Sequence, residues 1–294
     1  MLWTLMRHAL QYKVVVLHVY SGRAFWWTLV SGVVARLLGK RPILWLHGGN
    51  LPTYYRLHPN RVSFAFKQAD IILTPSPYLE QAFASDFDVQ LLRYELPIGS
   101  YPHRIREQAK PRLFWLRAFN AGYNPMLAPR VIHLLKSDYP DIKLLMCGAD
   151  KGDGSLQATQ KLTEELGVTD NIEFPGLISK DQIQQYGLEF DIFLNTTTID
   201  NMPVSVIEAM AMGMCVVSTD VGGIPYLVTD EHDGLLVPSN DAYAMAQACR
   251  RLLTDPALTQ QLSRQAKTTA QLFDWNIIAP QWDALLTRLH YGSP

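Results

Sequence analysis

The chain has 294 residues, 48% of them hydrophobic and 18% charged, a length and balance that suggest about two globular domains. A net charge of −1 offers no global attraction to nucleic acid or acidic lipid, so no nucleic-acid partner is expected and phosphate recognition must be local. Cys147, Cys215 and Cys249 fit no zinc or redox spacing and read as reduced core thiols of a cytosolic protein. The eight His are scattered, and no metal is expected.

Residues 1–12 lack the charge order of a signal peptide and read as the remnant of a helix. "KVVVLHV" (13–19) reads as a strand. The next stretch, "AFWWTLVSGVVARLL" (24–38), is shorter than the ~20 apolar residues that span a bilayer. It reads as a buried helix of an α/β fold, with peripheral contact at the inner face of the membrane as the lesser reading. "PILWLHG" (42–48) and "ADIILTPS" (69–76) are further strands, the second followed by a helix near "YLEQAFA". All are apolar nearly throughout, as in parallel sheets covered on both faces. "ELPIGSYPHRIREQAKP" (95–111) has Pro, Gly and charge without apolar periodicity and reads as an interdomain linker.

The alternation then restarts. "RLFWLR" (112–117) is a strand and 124–137 a helix opened by Asn124 and Pro125. "IKLLMCG" (142–148) is a strand followed by a helix over 155–166. "NIEFPG", "KDQIQQYG" and "DIFLN" (191–195) read as strand, helix, strand. "PVSVIEAMAMG" (203–213) is a helix closed by Gly213, and "MCVVST" (214–219) a strand before the turn "DVGG". Helices fill about 240–253 and 256–289. Repeated β–loop–α units imply parallel sheets with right-handed crossovers. Two such sheets imply two Rossmann-like domains around a cleft, with ligands beyond the carboxyl ends of the strands.

Two acids stand out there, Asp200 and Glu208. Glu208 in an early helical turn could accept hydrogen bonds from a ribose, or could simply favour the helix dipole; the residues alone leave the two readings even. Gly222-Gly223 after a strand lets backbone approach an anion.

"DNMPVSVIEAMAMGMCVVSTDVGGIPYLV" resembles the donor-binding signature of retaining glycosyltransferases of family 4 (group 1), which have the GT-B fold. "LFWLRAFNAG" resembles their strand ending in a donor-phosphate Arg, and "FDWNIIAPQWDALL" their C-terminal helix. The resemblance implies a GT-B α/β fold with a shortened N-terminal acceptor-side domain (1–109), a nucleotide-sugar domain (110–272) and a returning helix (273–294). It implies that Glu208 binds the ribose, that Asp200 contacts the donor sugar, and that Asn201, Met202 and Pro203 offer backbone amides. It also implies that Arg117 offsets charge on the departing diphosphate, aided by Gly148, Gly222 and Gly223, with His47 near the donor sugar. The implied partners are a nucleotide sugar and a glycan or lipid-linked acceptor, with no metal. The sequence departs from the family where a Lys usually follows the Arg (here Gly122), where an acid follows the Gly-Gly turn (here Tyr226), and in having Asp200 for Glu. Lys151 could supply the missing cation. The alternatives are an impaired nucleotide-sugar-binding protein and a GT-B epimerase.

Overall fold

In the computed structural model, which describes residues 2–291, the chain divides into two compact units. The first comprises the residues up to Leu96, Asp200–Met202 and the residues from Trp275. The second comprises Pro97–Ile199 and Pro203–Asp274.

The first unit holds a four-stranded parallel sheet in the order β1 (Val14–Val19), β2 (Arg41–Leu46), β3 (Ile71–Thr74), β4 (Val89–Leu91). Consecutive strands are neighbours, as right-handed βαβ units produce. Five of the six β2 residues and all of β3 are buried, which matches their unbroken apolar runs and requires cover on both faces. One face packs with Phe25 of α2 (Phe25–Leu37), Val62 and Phe66 of α4 (Pro59–Phe66), and Leu79 and Phe83 of α5 (Pro77–Phe83). The other face packs Ile43, Trp45, Ile71 and Leu73 with Ile278 and Leu289 of the last helix, α12 (Trp275–Tyr291). Trp282 meets Trp45 edge-on at 5.0 Å, a favoured aromatic geometry.

Two readings of this half change. Residues 50–66, which carry no predicted element, form α3 (Leu51–Leu57) and α4, which break at His58. Pro59 bars the helical conformation from the residue before it, and His58 sits at φ −137° and ψ 55°. The 24–38 segment does form a helix, α2, but it is not wrapped in core. Its buried residues are Phe25, Thr28, Ser31, Gly32 and Ala35, while Trp26, Trp27, Val30 and Leu37 are exposed. The short helix α1 (Leu2–Arg7) has no buried residue.

The second unit holds a six-stranded parallel sheet. Its order is β10 (Leu235–Val237), β9 (Cys215–Thr219), β8 (Ile192–Asn195), β5 (Arg112–Leu116), β6 (Lys143–Cys147), β7 (Ile172–Gly176). The order reverses beside β5, the kind of switch point where such sheets bind ligands. Helices α6 (Leu127–Lys136), α7 (Ser155–Glu165), α8 (Lys180–Glu189), α9 (Val204–Ala211), α10 (Ala242–Thr254) and α11 (Pro256–Gln271) complete the unit. Local rules fix several of their ends. Ser179 and Gln182 form a capping box on α8, and Asp241 accepts from Ala244 N at 2.8 Å at the start of α10. Cys147, Cys215 and Cys249 are buried free thiols.

The 95–111 segment is not a free linker. Ile98, Tyr101, Arg106 and Ala109 are buried. The Arg106 side chain donates to the carbonyls of Arg104 at 2.7 Å and Phe190 at 2.8 Å, and to those of Met212 and Gly187. Its Nε lies 3.4 Å from Asp191, whose other oxygen accepts from Lys110 N at 2.9 Å. A guanidinium holds this segment instead of an apolar stripe, so no periodicity marks it.

Candidate nucleotide-sugar site

The two units carry separate sets of the sequence-predicted residues. In the second unit, the set lies at the carboxyl ends of β5, β6, β8 and β9. Arg117 follows β5 directly, and its backbone N donates to Cys147 O at 3.1 Å. Its guanidinium carbon sits 3.9 Å from the centre of the Tyr123 ring, a cation–π contact that fixes the side chain. Gly148 follows β6 at φ 149°, where a Cβ would lie 1.8 Å from the Arg117 carbonyl oxygen. No other residue fits there. Gly148 N donates to Gly176 O at 2.8 Å, so this glycine serves the close approach of three strand ends.

The position where the family pattern has Lys is Gly122. Its carbonyl accepts from Thr198 N at 2.9 Å and from the Thr197 and Thr198 hydroxyls at 3.1 Å each. It ties the β5–α6 loop to the β8–α9 connection. Asp153 braces the same loop, accepting from Ala121 N at 2.8 Å, Asn120 Nδ2 at 3.0 Å and Ser155 N at 3.1 Å. The Ala121 amide is the main cause that holds this carboxyl below its ordinary value. Lys151 is exposed in the loop after β6.

Glu208 is half-buried in α9 among Ile207, Ala209 and Met210, which are fully buried. Its Oε1 accepts from the Tyr101 hydroxyl at 2.7 Å. Burial pushes the Glu208 carboxyl up, opposed by the Tyr101 hydrogen bond and by Lys180. Burial and then Glu208 push the Tyr101 phenol up as well, which keeps it a donor. Lys180 lies 5.3 Å from the Tyr101 ring centre. Periodicity misses Tyr101, because it sits in the segment held by Arg106.

The start of α9 corrects one expectation. The resemblance implies backbone amides from Asn201, Met202 and Pro203, but Pro203 has no amide hydrogen. Pro203 is the N-cap and gives α9 no side-chain cap. The first-turn N–H groups of Val204 and Ser205 therefore stand where Pro203 cannot serve. Gly222 takes φ 55°, in the left-handed region that favours glycine. Gly223 sits at φ −86°, so only the first glycine of the pair is demanded by backbone geometry. Tyr226 is exposed.

In the first unit, His47 directly follows β2, and its N donates to Val19 O at 3.0 Å. Its Nε2 lies 2.8 Å from His18 Nδ1 and its Nδ1 2.5 Å from the Tyr94 hydroxyl. The ring stacks on Tyr94 with a 5° interplanar angle. Burial, then the proximity of His18, lowers the His47 pKa to about 4, so the imidazole is neutral at neutral pH, one nitrogen donating and the other accepting. Gly49 passes against Asp200, and a Cβ on it would lie 2.6 Å from the Asp200 carbonyl carbon. Asp200 Oδ1 accepts from Asn201 N at 2.9 Å. The Asn201 Oδ1 accepts from the Ser76 hydroxyl, and Asn201 and Met202 are buried. The Asn201 amide is thus engaged by its neighbour's carboxylate rather than offered outward, a second correction. Pattern reading misses Tyr94 and Ser76, which act only through contacts between distant positions.

This architecture defines the GT-B class of glycosyltransferases. A structure of Anabaena HepE in complex with UDP superposes with a TM-score of 0.81 over 97% of this chain and 81% of that one, at 16% identity. Sucrose-phosphate synthase from Thermosynechococcus elongatus superposes with a TM-score of 0.82 over 99% of this chain and 78% of that one, at 21% identity. At the sequence level, the model for glycosyl transferases group 1 matches residues 104–269, and the chain belongs to that family. The D-inositol 3-phosphate glycosyltransferase of Streptomyces bingchenggensis is 29% identical over 198 residues, 64% of this chain and 43% of that protein. Its counterpart from Streptomyces avermitilis is 28% identical over 171 residues, 55% of this chain and 37% of that protein. The matched stretch thus spans less than half the length of these relatives.

Proposed function

We propose that the protein is a retaining glycosyltransferase that moves a sugar from a nucleoside-diphosphate sugar to a glycan or lipid-linked acceptor. The observation that carries this reading is the Glu208 carboxylate. It is held by Tyr101 at one oxygen, with its second oxygen as an acceptor for a ribose hydroxyl, on a helix without a side-chain cap. The α9 first-turn amides supply donors and a positive dipole end for oxygens of the donor. Arg117, steadied on Tyr123, offsets charge as it grows on the leaving diphosphate, the largest electrostatic task in such a transfer. Asp200 contacts the donor sugar, and neutral His47 offers a hydrogen bond there. The leaving phosphate takes the acceptor proton on the same face, so no separate base is required. Neither does the reading require a metal, and turnover is expected to survive EDTA.

Uridine is the base to test first, since solved relatives of this fold carry UDP and UDP-glucose. Isothermal titration with UDP and UDP-sugars, with donor hydrolysis measured in parallel, tests the proposal. Glu208→Ala is expected to weaken nucleotide binding at least about tenfold, because it removes a charged hydrogen-bond partner worth about 1.5–3 kcal/mol. Unchanged binding in a folded Glu208→Ala variant overturns the ribose role. Nucleotide binding without turnover across a broad acceptor panel would mean a binding protein instead.

A further inference from the structure

Helix α2 is built inside out. Its core-facing residues Thr28, Ser31, Gly32 and Ala35 are small or polar, with Phe25 the one large exception. Its outward residues are Trp26, Trp27, Val30 and Leu37, respectively 50%, 59%, 37% and 82% exposed. A helix on a soluble surface shows the opposite pattern. Beside it, α1 leaves Trp3 and Met6 exposed, and α1 and α4 both contact α2. The exposed apolar residues are therefore gathered on neighbouring helices rather than scattered singly, and such a grouping marks an interaction site.

The charge around this face identifies the partner. The chain has 26 Lys and Arg and 27 Asp and Glu, yet residues 1–69 contain nine basic residues and no acidic one. Arg7 stacks on Trp3 at 4.7 Å and Arg61 on Trp26 at 4.5 Å, which sets guanidinium groups among the exposed indoles. Arg23 and Lys67 are also exposed. Amphipathic tryptophans flanked by basic side chains suit the boundary between lipid headgroups and acyl chains, and basic residues are drawn to anionic headgroups. No helix among the described residues is long and apolar enough to cross a membrane. We propose that the α1–α2–α4 face of the first unit binds peripherally to an anionic lipid bilayer, with Trp26 and Trp27 inserted at the interface. This inference is independent of the glycosyl-transfer reading.

Co-sedimentation of the full chain with vesicles tests it, comparing pure phosphatidylcholine with phosphatidylcholine containing phosphatidylglycerol. Binding to the anionic vesicles is expected, with a blue shift of tryptophan emission and release by high salt. The Trp26→Ser/Trp27→Ser variant is expected to lose the insertion shift and most of the binding. The Arg23→Glu/Lys67→Glu variant, which leaves the apolar residues in place, is expected to bind anionic vesicles at least about fivefold more weakly. Circular dichroism on both variants establishes that they are folded. Equal binding to the two vesicle types, no binding to either, or full binding by both folded variants overturns the proposal. So does a concentration-dependent dimer that the tryptophan variant abolishes while vesicles bind nothing, since the face would then join two copies of the chain.

Discussion

Two hydrogen-bonded side chains set the chemistry that single residues can offer. Tyr101 holds Glu208 at 2.7 Å and lowers its carboxyl against the effect of burial. Tyr101→Phe removes that donor and keeps the ring. Under the donor role proposed for Glu208, nucleotide affinity is expected to fall about three- to tenfold, in line with ~0.5–1.5 kcal/mol for a net hydrogen bond, and titration calorimetry reads the change. His47 has the opposite signature. Its folded pKa of about 4 lies below the ordinary value of 6.5, so between those values the unfolded chain binds a proton that the folded chain refuses. Its contribution to stability is complete above pH 6.5, falls as pH drops, and is gone below about 4. The loss is on the order of 3 kcal/mol at most. Denaturant midpoints from about pH 7.5 down to about pH 4 are expected to decline less steeply in His47→Phe than in the parent, and parallel curves would assign the decline to other groups.

At the scale of elements, the connections are held by close backbone approaches and by one buried cation. Arg106 anchors the 97–111 segment to α8, α9 and the start of β8 through three carbonyls and Asp191. Arg106→Ala leaves the Asp191 carboxylate, 1% exposed, with the half-exposed Arg104 as its remaining charged partner beside the Lys110 amide. A cost of about 3–5 kcal/mol is expected, visible as a lower denaturant midpoint. Because Tyr101 rides on the same segment, the proposed nucleotide affinity is expected to fall as well. Gly49 offers a sharper probe of the β2–α3 connection. The Asp200 backbone occupies the space of a Cβ there, and backbone yields less than a flexible side chain. Gly49→Ala is expected to destabilise the chain by roughly 2–4 kcal/mol, whereas alanine at Gly99, where nothing lies within 4 Å, is expected to change it by less than about 0.5 kcal/mol.

At the scale of the molecule, the first unit draws on both ends of the chain. Without α12, one face of its four-stranded sheet would expose Ile43, Trp45, Ile71 and Leu73, and parallel strands need both faces covered. Ending the chain after Asp274 is therefore expected to give an aggregating product with high binding of a hydrophobic dye. Trp282→Ala is the milder test. It should cost about 2–4 kcal/mol, as truncation of a large aromatic does when a cavity is left, and thermal melting measures it.

Much of this architecture is legible in the residues. The unbroken apolar runs of β2, β3, β8 and β9 require sheets with two covered faces, and the β–loop–α spacing requires parallel order. The "NMPVSVIEAMAMG" stretch carries both a core face and the position of Glu208, because the helical period places Ala209, Met210 and their neighbours inward. Other features leave no local mark. Tyr101, Arg106 and Ser76 act through partners 81 to 125 positions away, and no short-range pattern records such pairs. Pro203 shows the converse. Its lack of an amide hydrogen is a property of the residue type, but its place as N-cap of α9 emerges only from the fold. The sequence by itself determined most of the strands and helices, α3, α4 and β4 excepted, and which family the donor-side signature resembles, since those follow from side-chain period and local chemistry. The tertiary structure alone decided which phenol holds Glu208, which backbone excludes a side chain at Gly49 and Gly148, and which face of α2 is left to the outside. Each of these depends on how the chain closes over distances that its local preferences do not encode.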